Sequence, residues 1–460
     1  MSQRQSATRD MTSGSIVRQI IAFSLPLMFG NIFQMLYNTV DTYVVGNYVS
    51  TQALAAVGST TMIVNMLVFF FNGFSVGAGV VIARHFGAKD MQQLHTAVET
   101  TMAVTFLMCA VFTFVGMAGV RPMLRMMSTP EDVMDDATSY LTTYFMGISG
   151  LLVYNMGSGV LRAVGDTRRP LFFLVLTSVL NIILDLFFVI TLHMGIAGVA
   201  WATVISQLIS AVLTLALLTR STDIYRLTWK DLRVDMCVLR DMMRVGLPAG
   251  IQSVITAFSN VFVQSYINYF GSACMAGWSV YNKLDSYIML PMQSTAMAAT
   301  TFVSQNIGAG KLMRVKQGVA VSVSLSVAVT GVIALCLFLF AEPAVGLFTD
   351  DPAVIAFGAL FMHCNVFFLL ANCVNHTLAG ALRGMGDSRG PMIVMLSCFV
   401  GLRQVYLFVL TRFIANAPML VGLGYPVGWV TCCIAELTYF ALKWGKDLKK
   451  AEIAPAEESA

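Results

Sequence analysis

The chain has 460 residues and a formal net charge of +4. Hydrophobic residues make up 57% of it and charged residues only 11%, with a mean hydropathy of +0.75. Soluble proteins carry about 25% charged residues, so this composition excludes a soluble globular domain and implies an integral membrane protein.

In chain order, residues 1–15 form a polar segment without the small-residue cleavage site of a signal peptide, and are expected to be cytoplasmic. Six apolar stretches follow at 16–46, 53–83, 94–118, 138–161, 171–191 and 196–219, and together they define a first lobe over 16–219. Residues 220–244 form a hydrophilic linker in which 227–243 is expected to be an amphipathic helix. A second lobe, 245–444, holds stretches at 245–269, 275–305, 319–341, 357–382, 392–413 and 421–444. The tail, 445–460, is charged and then small and polar, and is expected to be unstructured and cytoplasmic. Each stretch approaches or exceeds the roughly 20 residues that cross a bilayer. Pro26, Pro248 and Pro291 are natural bend points.

Lys and Arg fall 23 on the N-terminal side of these spans and three on the other, namely Arg121, Arg125 and Arg412, while Lys283 and Arg403 lie within spans. The positive-inside rule then puts both termini in the cytoplasm of a multi-pass cell-membrane protein. The net charge reflects this anchoring and requires no nucleic-acid partner. Nine cysteines are scattered without a CxxC or CxxH pair and read as small packing residues.

The chain repeats itself. Gly159 to Pro170 reads GVLRAVGDTRRP and Gly380 to Pro391 reads GALRGMGDSRGP, 221 positions apart. Leu25 and Pro26 recur as Leu247 and Pro248, and Gly87 and Ala88 as Gly308 and Ala309, at nearly the same offset. Six spans is an even number, so duplicated halves share an orientation. The expected fold is an all-α membrane protein of twelve transmembrane helices, in two six-helix lobes related by a pseudo-two-fold axis along the membrane normal. In each copy of the motif Gly permits a sharp turn, Asp166 or Asp387 caps the next helix, Arg162 or Arg383 bonds loop carbonyls, and Pro opens the following helix. A gating role for these loops is the sharper alternative.

Ionisable residues at membrane depth are functional candidates because burying them is costly. Asn31, Gln34, Asn38 and Asp41 share one face of the first span, and Thr177, Asn181 and Asp185 share one face of the fifth. Thr203 on the sixth adds a hydroxyl. Two carboxylates, an amide and a hydroxyl are hard donors for sodium, or the carboxylates alone can hold a proton. The bland alternative is polar glue between helices. In the second half, Val263 or Gln264 stands at the position of Asp41, and Leu402 and Tyr406 at those of Asn181 and Asp185, so cation coupling is expected in the first lobe alone. Arg403 and Glu436, near the middles of consecutive spans, are expected to form a buried ion pair. Lys283 and Asp285 are too close in sequence to face each other on a helix, so at least one needs another partner.

LPLMFGNIFQMLYNTVDTYVVG, the paired LRxxGD[ST]RxP loops and FVSQNIGAGK together resemble the multidrug and toxic compound extrusion (MATE) transporter family, in its DinF-like branch. The resemblance implies a proton or sodium site at Asp41, Asn181, Asp185 and Thr203, a substrate cavity near Gln34, Tyr37, Asn38 and Asn155, and a bend of the first helix at Pro26. It implies a secondary antiporter that exports amphipathic, cationic organic compounds in exchange for H+ or Na+ by alternating access, working as a monomer without a cofactor. A flippase for lipid-linked precursors is the rival reading. Neither a GxxxxGK[ST] loop nor an HExxH helix is present, so an enzyme of either kind is not expected.

Overall fold

The computed structural model describes residues 8–457 except Ser50, Ser128 and Thr222. Residues 1–7 of the expected N-terminal segment and the last three of the tail lie outside that range. Among the described residues the regular structure is helical throughout.

In the first half the helices are α1 (Ile16–Tyr48), α2 (Thr51–Ala88), α3 (Met91–Met126), α4 (Glu131–Met146), α5 (Ile148–Ala163), α6 (Arg168–Leu186) and α7 (Gly195–Arg220). The second half holds α8 (Met236–Asn268), α9 (Ser272–Gly308), α10 (Leu312–Leu339), α11 (Ala341–Gly346), α12 (Pro352–Asn365), α13 (Leu369–Gly384), α14 (Arg389–Leu396), α15 (Arg403–Val409), α16 (Pro418–Gly422) and α17 (Gly424–Glu457). Ten helices or joined helical stretches among the described residues are long and apolar enough to cross a membrane. The pair α4 and α5, bent by 46° at Gly147, supplies an eleventh span. α9, 37 residues long and overlapping the eighth expected stretch, falls outside this set because polar side chains dilute it.

The fourth expected span is thus two helices. At the break, a Cβ on Gly147 would lie 2.3 Å from the Val204 side chain, and one on Gly150 would lie 2.8 Å from the backbone of α7. Absent side chains here let α7 approach the bend. The linker also departs from expectation. A 3-10 turn at Trp229–Asp231 replaces the first part of the expected amphipathic helix, and α8 begins at Met236 and continues into the seventh span without interruption. Asp235 sets that start by accepting from the backbone N–H groups of Cys237 and Val238 at 2.9 and 3.0 Å. The tail is helical as far as Glu457, because Lys, Leu, Ala and Glu are strong helix formers and carry α17 onward.

The described residues form two compact units, residues 8–10 with 25–250 and residues 11–24 with 251–457. Within the first, α5 packs on α2, α3 and α7, while α6 packs on α7. Its apolar core includes Phe71, Leu94, Met102, Phe145 and Leu152. Within the second, α9 packs on α10, α12 and α13, and α13 also packs on α17. Trp278, Tyr281, Phe361 and Tyr425 interlock there with ring centroids 4.8 to 6.4 Å apart.

The duplicated motif folds the same way in each unit. Gly165 donates to the Arg162 carbonyl and Asp166 to that of Leu161, both at 2.9 Å; Gly386 and Asp387 make the matching bonds to Arg383 and Leu382 at 2.8 and 3.0 Å. Asp166 Oδ1 then accepts from the N–H groups of Arg168 and Arg169, and Asp387 Oδ1 from Gly390. Each Asp therefore caps the next helix, as expected. The arginines differ from expectation: they bond side chains, Arg162 Nη2 donating to Ser75 Oγ at 3.3 Å and Arg383 Nη2 to Gln252 Oε1 at 3.2 Å.

The FVSQNIGAGK segment receives the N-terminal strand of chain within the second unit. Met11 N–H donates to Gln305 Oε1 at 2.9 Å, Asn306 Nδ2 donates to the Met11 carbonyl, and Lys311 Nζ to that of Thr12 at 2.8 Å. Those side chains satisfy a stretch of backbone that has no helix to pair with.

Candidate functional site

The first unit contains a cavity of about 150 Å³ between α1, α5, α6 and α7. Its polar wall carries the expected Gln34, Tyr37, Asn155, Asn181 and Thr203, with Pro26 at one edge. Asn38 lies outside that wall and is exposed. α1 runs through Pro26 as one helix, although proline removes one ladder hydrogen bond and leaves a weak point there.

Asp41 on α1 and Asp185 on α6 come within hydrogen-bonding reach of each other. Asp185 is fully buried. Neither of its oxygens, nor Oδ1 of Asp41, finds a donor among the described residues. Both ends of the Asn181 amide, one turn along α6, are likewise buried and unbonded. Thr203 on α7 gives its proton to the Val199 carbonyl at 3.0 Å, which leaves its oxygen lone pairs available. Two ionised carboxylates can only accept, so facing oxygens need a proton or a metal cation between them. Asn181 and Thr203 thus share the cavity wall, and Asp185, one turn along α6 from Asn181, faces Asp41. Tyr37 stands beside Gln34 and, with Tyr140, lies near the pair.

Sequence reasoning passed over Ser206, Gln207, Ser210 and Arg162, which also line the cavity. The signal for the first three was present: Thr203, Ser206 or Gln207, Ser210 and Thr214 recur at helical spacing on α7, and Ser210 Oγ donates to Thr177 Oγ1 across to α6 at 2.7 Å. Arg162 gave no such signal, because a motif residue at a helix end reads as a loop contact.

In the second unit the expected Arg403–Glu436 ion pair does not form. Arg403 Nη2 donates to Ser259 Oγ at 2.7 Å and Asn260 Oδ1 at 3.0 Å, and the guanidinium lies 4.7 Å over the Tyr425 ring. Neutral partners on α8 and an aromatic face therefore take this cation in place of Glu436, although its Nε remains buried without an acceptor among the described residues. Lys283 lies 5.8 Å over the Phe348 ring, a partner other than Asp285.

A MatE family model matches residues 26–187 and again 248–409. The chain belongs to the MATE family of transporters. The two matches share one length and are offset by 222 residues, the offset of Leu25–Pro26 to Leu247–Pro248 and one more than that of the duplicated motifs, so the MATE repeat and the internal repeat coincide. Relatives of this MATE chain include the probable multidrug resistance protein YoeA of Bacillus subtilis, 27% identical over 97% of this chain and 98% of that protein. The probable multidrug resistance protein NorM of Thermotoga maritima is 26% identical over 94% of each. Among solved structures, an outward-facing MATE transporter of the MOP superfamily superposes with a TM-score of 0.91 at 21% identity, covering 98% of this chain and all of that one. A MOP superfamily transporter from Pyrococcus furiosus gives a TM-score of 0.89 at 21% identity, covering 97% of this chain and 99% of that one. At those identities the likeness is one of fold.

Proposed function

We propose that the protein is a multidrug efflux antiporter of the cell membrane, with both termini cytoplasmic, that exports amphipathic organic cations in exchange for inward H+ or Na+. The observation that carries this reading is the facing pair Asp41 and Asp185 beside a polar cavity, Asp185 fully buried and both its oxygens and Asp41 Oδ1 without donors among the described residues. A cation arriving from outside neutralises the pair and draws α1 and α6 together. Loss of the cation restores two like charges in low dielectric, which repel and favour the arrangement that admits the next substrate. Substrate and coupling ion thereby compete for one lobe, and the ion gradient sets the direction of export. The relatives named as multidrug resistance proteins support the substrate class. A monomer holds the whole device, since all four donors lie in one unit.

The test is efflux of a fluorescent organic cation from loaded vesicles under separately imposed pH and sodium gradients. Efflux driven by one gradient and abolished in folded Asp41→Asn is the expected result and names the ion. Full activity in the variant would remove the proposed coupling site, and no efflux under either gradient would turn attention to lipid-linked substrates.

A further inference from the structure

Glu436 on α17 is fully buried, and neither carboxylate oxygen accepts a hydrogen bond among the described residues. The cation that acts on it is Arg383, at the end of α13, which packs against α17. Yet the two form no ion pair among the described residues. Arg383 donates to Gln252, and its Nε is left buried without an acceptor. A carboxyl group and a guanidinium, each incompletely satisfied and within electrostatic reach, form a poised arrangement. An ionised carboxylate without donors in such surroundings neutralises by taking a proton.

The surrounding groups do not supply another partner. On α13, His376 stands near Arg383, and Cys373 is near Cys433. Cys398, on the helical stretch between α14 and α15, stands beside Cys432 of α17. Arg403 on α15 is taken by Ser259 and Asn260. Farther along α17, Tyr439 and Lys443 both donate to the Asp387 carboxylate, at 2.6 and 3.0 Å. Arg389 of α14 is exposed, and α16 carries no titratable side chain. The repeat offset puts Thr214 or Leu215 at the corresponding place in the first unit, so the carboxyl belongs to this half alone.

We propose that Glu436 is a proton-binding site of the second lobe, a carboxylic acid in the arrangement described, which releases its proton to entering water as Arg383 leaves Gln252 to pair with the carboxylate. The Arg of the second LRxxGD motif then has two alternative partners, Gln252 when the site is protonated and Glu436 when it is not. This site stands apart from the Asp41–Asp185 pair and does not depend on the antiport reading.

The experiment is infrared difference spectroscopy of the purified full chain in lipid vesicles, without any gradient, titrated from acid to alkaline pH and compared with Glu436→Gln. Expected is one carboxylic C=O band that disappears reversibly as pH rises and is missing from the variant, while Asp41→Asn leaves it in place. In Arg383→Gln the band should persist to a pH higher by about one unit or more, because removing a neighbouring cation disfavours the carboxylate. Gln252→Leu should shift its loss to lower pH by freeing Arg383, and serves alone if the arginine variant does not fold. Absence of a band removed by Glu436→Gln at any pH, or a band that survives unchanged to the limit of folding, would overturn the proposal: the first means a permanently ionised group and the second a fixed structural acid.

Discussion

Gly165 and Gly386 stand 221 positions apart and hold the same left-handed backbone angle, φ +85°. An L side chain there costs about 1–2 kcal/mol. At Gly165 a Cβ would in addition lie 2.4 Å from the carbonyl oxygen of Arg9, whose own N–H bonds Val164. Gly386→Ala should therefore lose about 1–2 kcal/mol and Gly165→Ala distinctly more. Thermal unfolding of both purified variants checks the order.

The two motif aspartates should respond oppositely to acid. Burial raises the Asp166 carboxyl, and the N–H groups of Arg169 and Arg168 and the Arg169 charge only partly offset it. Burial also acts to raise Asp387, but the Tyr439 hydroxyl, the Gly390 N–H and Lys443 outweigh it and hold that carboxyl below its usual value. A depressed acid contributes stability that is present above its unfolded value and is lost as pH falls through the folded one; a raised acid contributes stability in acid that is lost as pH rises. Asp387→Asn should destabilise at neutral pH, with its penalty vanishing in acid, and Asp166→Asn should show no such gain. Unfolding midpoints measured across the acid range decide it.

Replacing Asp185 by Asn puts an amide donor opposite Asp41. One hydrogen bond then replaces two facing acceptors, so Asp185→Asn should raise stability by about 1 kcal/mol while gradient-driven efflux falls to background. Gain in melting temperature together with loss of transport is the signature of a site that trades stability for ion binding.

Because Arg403 bonds Ser259, Asn260 and Tyr425 rather than Glu436, Arg403→Ala should cost about 1–3 kcal/mol through its stranded partners. A double-mutant cycle between Arg403→Ala and Glu436→Gln should give an interaction below about 0.5 kcal/mol. A larger coupling would restore the ion pair that their positions along the chain suggest.

Composition, the Lys and Arg asymmetry and the 221-residue repeat were enough, by themselves, to determine a duplicated helical membrane protein, because a bilayer leaves the backbone few other solutions. Periodicity of 3.6 residues likewise determined which face of a span is polar, and so brought Asp41, Asn181, Asp185 and Thr203 into view. Within one helix, side-chain direction follows from spacing. Only the tertiary structure decided the rest: that α4 and α5 break at Gly147 to admit α7, that Arg162 turns to the cavity wall, and that Arg403 turns to α8 while Glu436 is left with Arg383. Those outcomes depend on rotation and approach of helices distant in the chain, which are set by packing of neighbouring side chains. Depth along two spans shows that groups can be level with each other. It does not show that they face the same way.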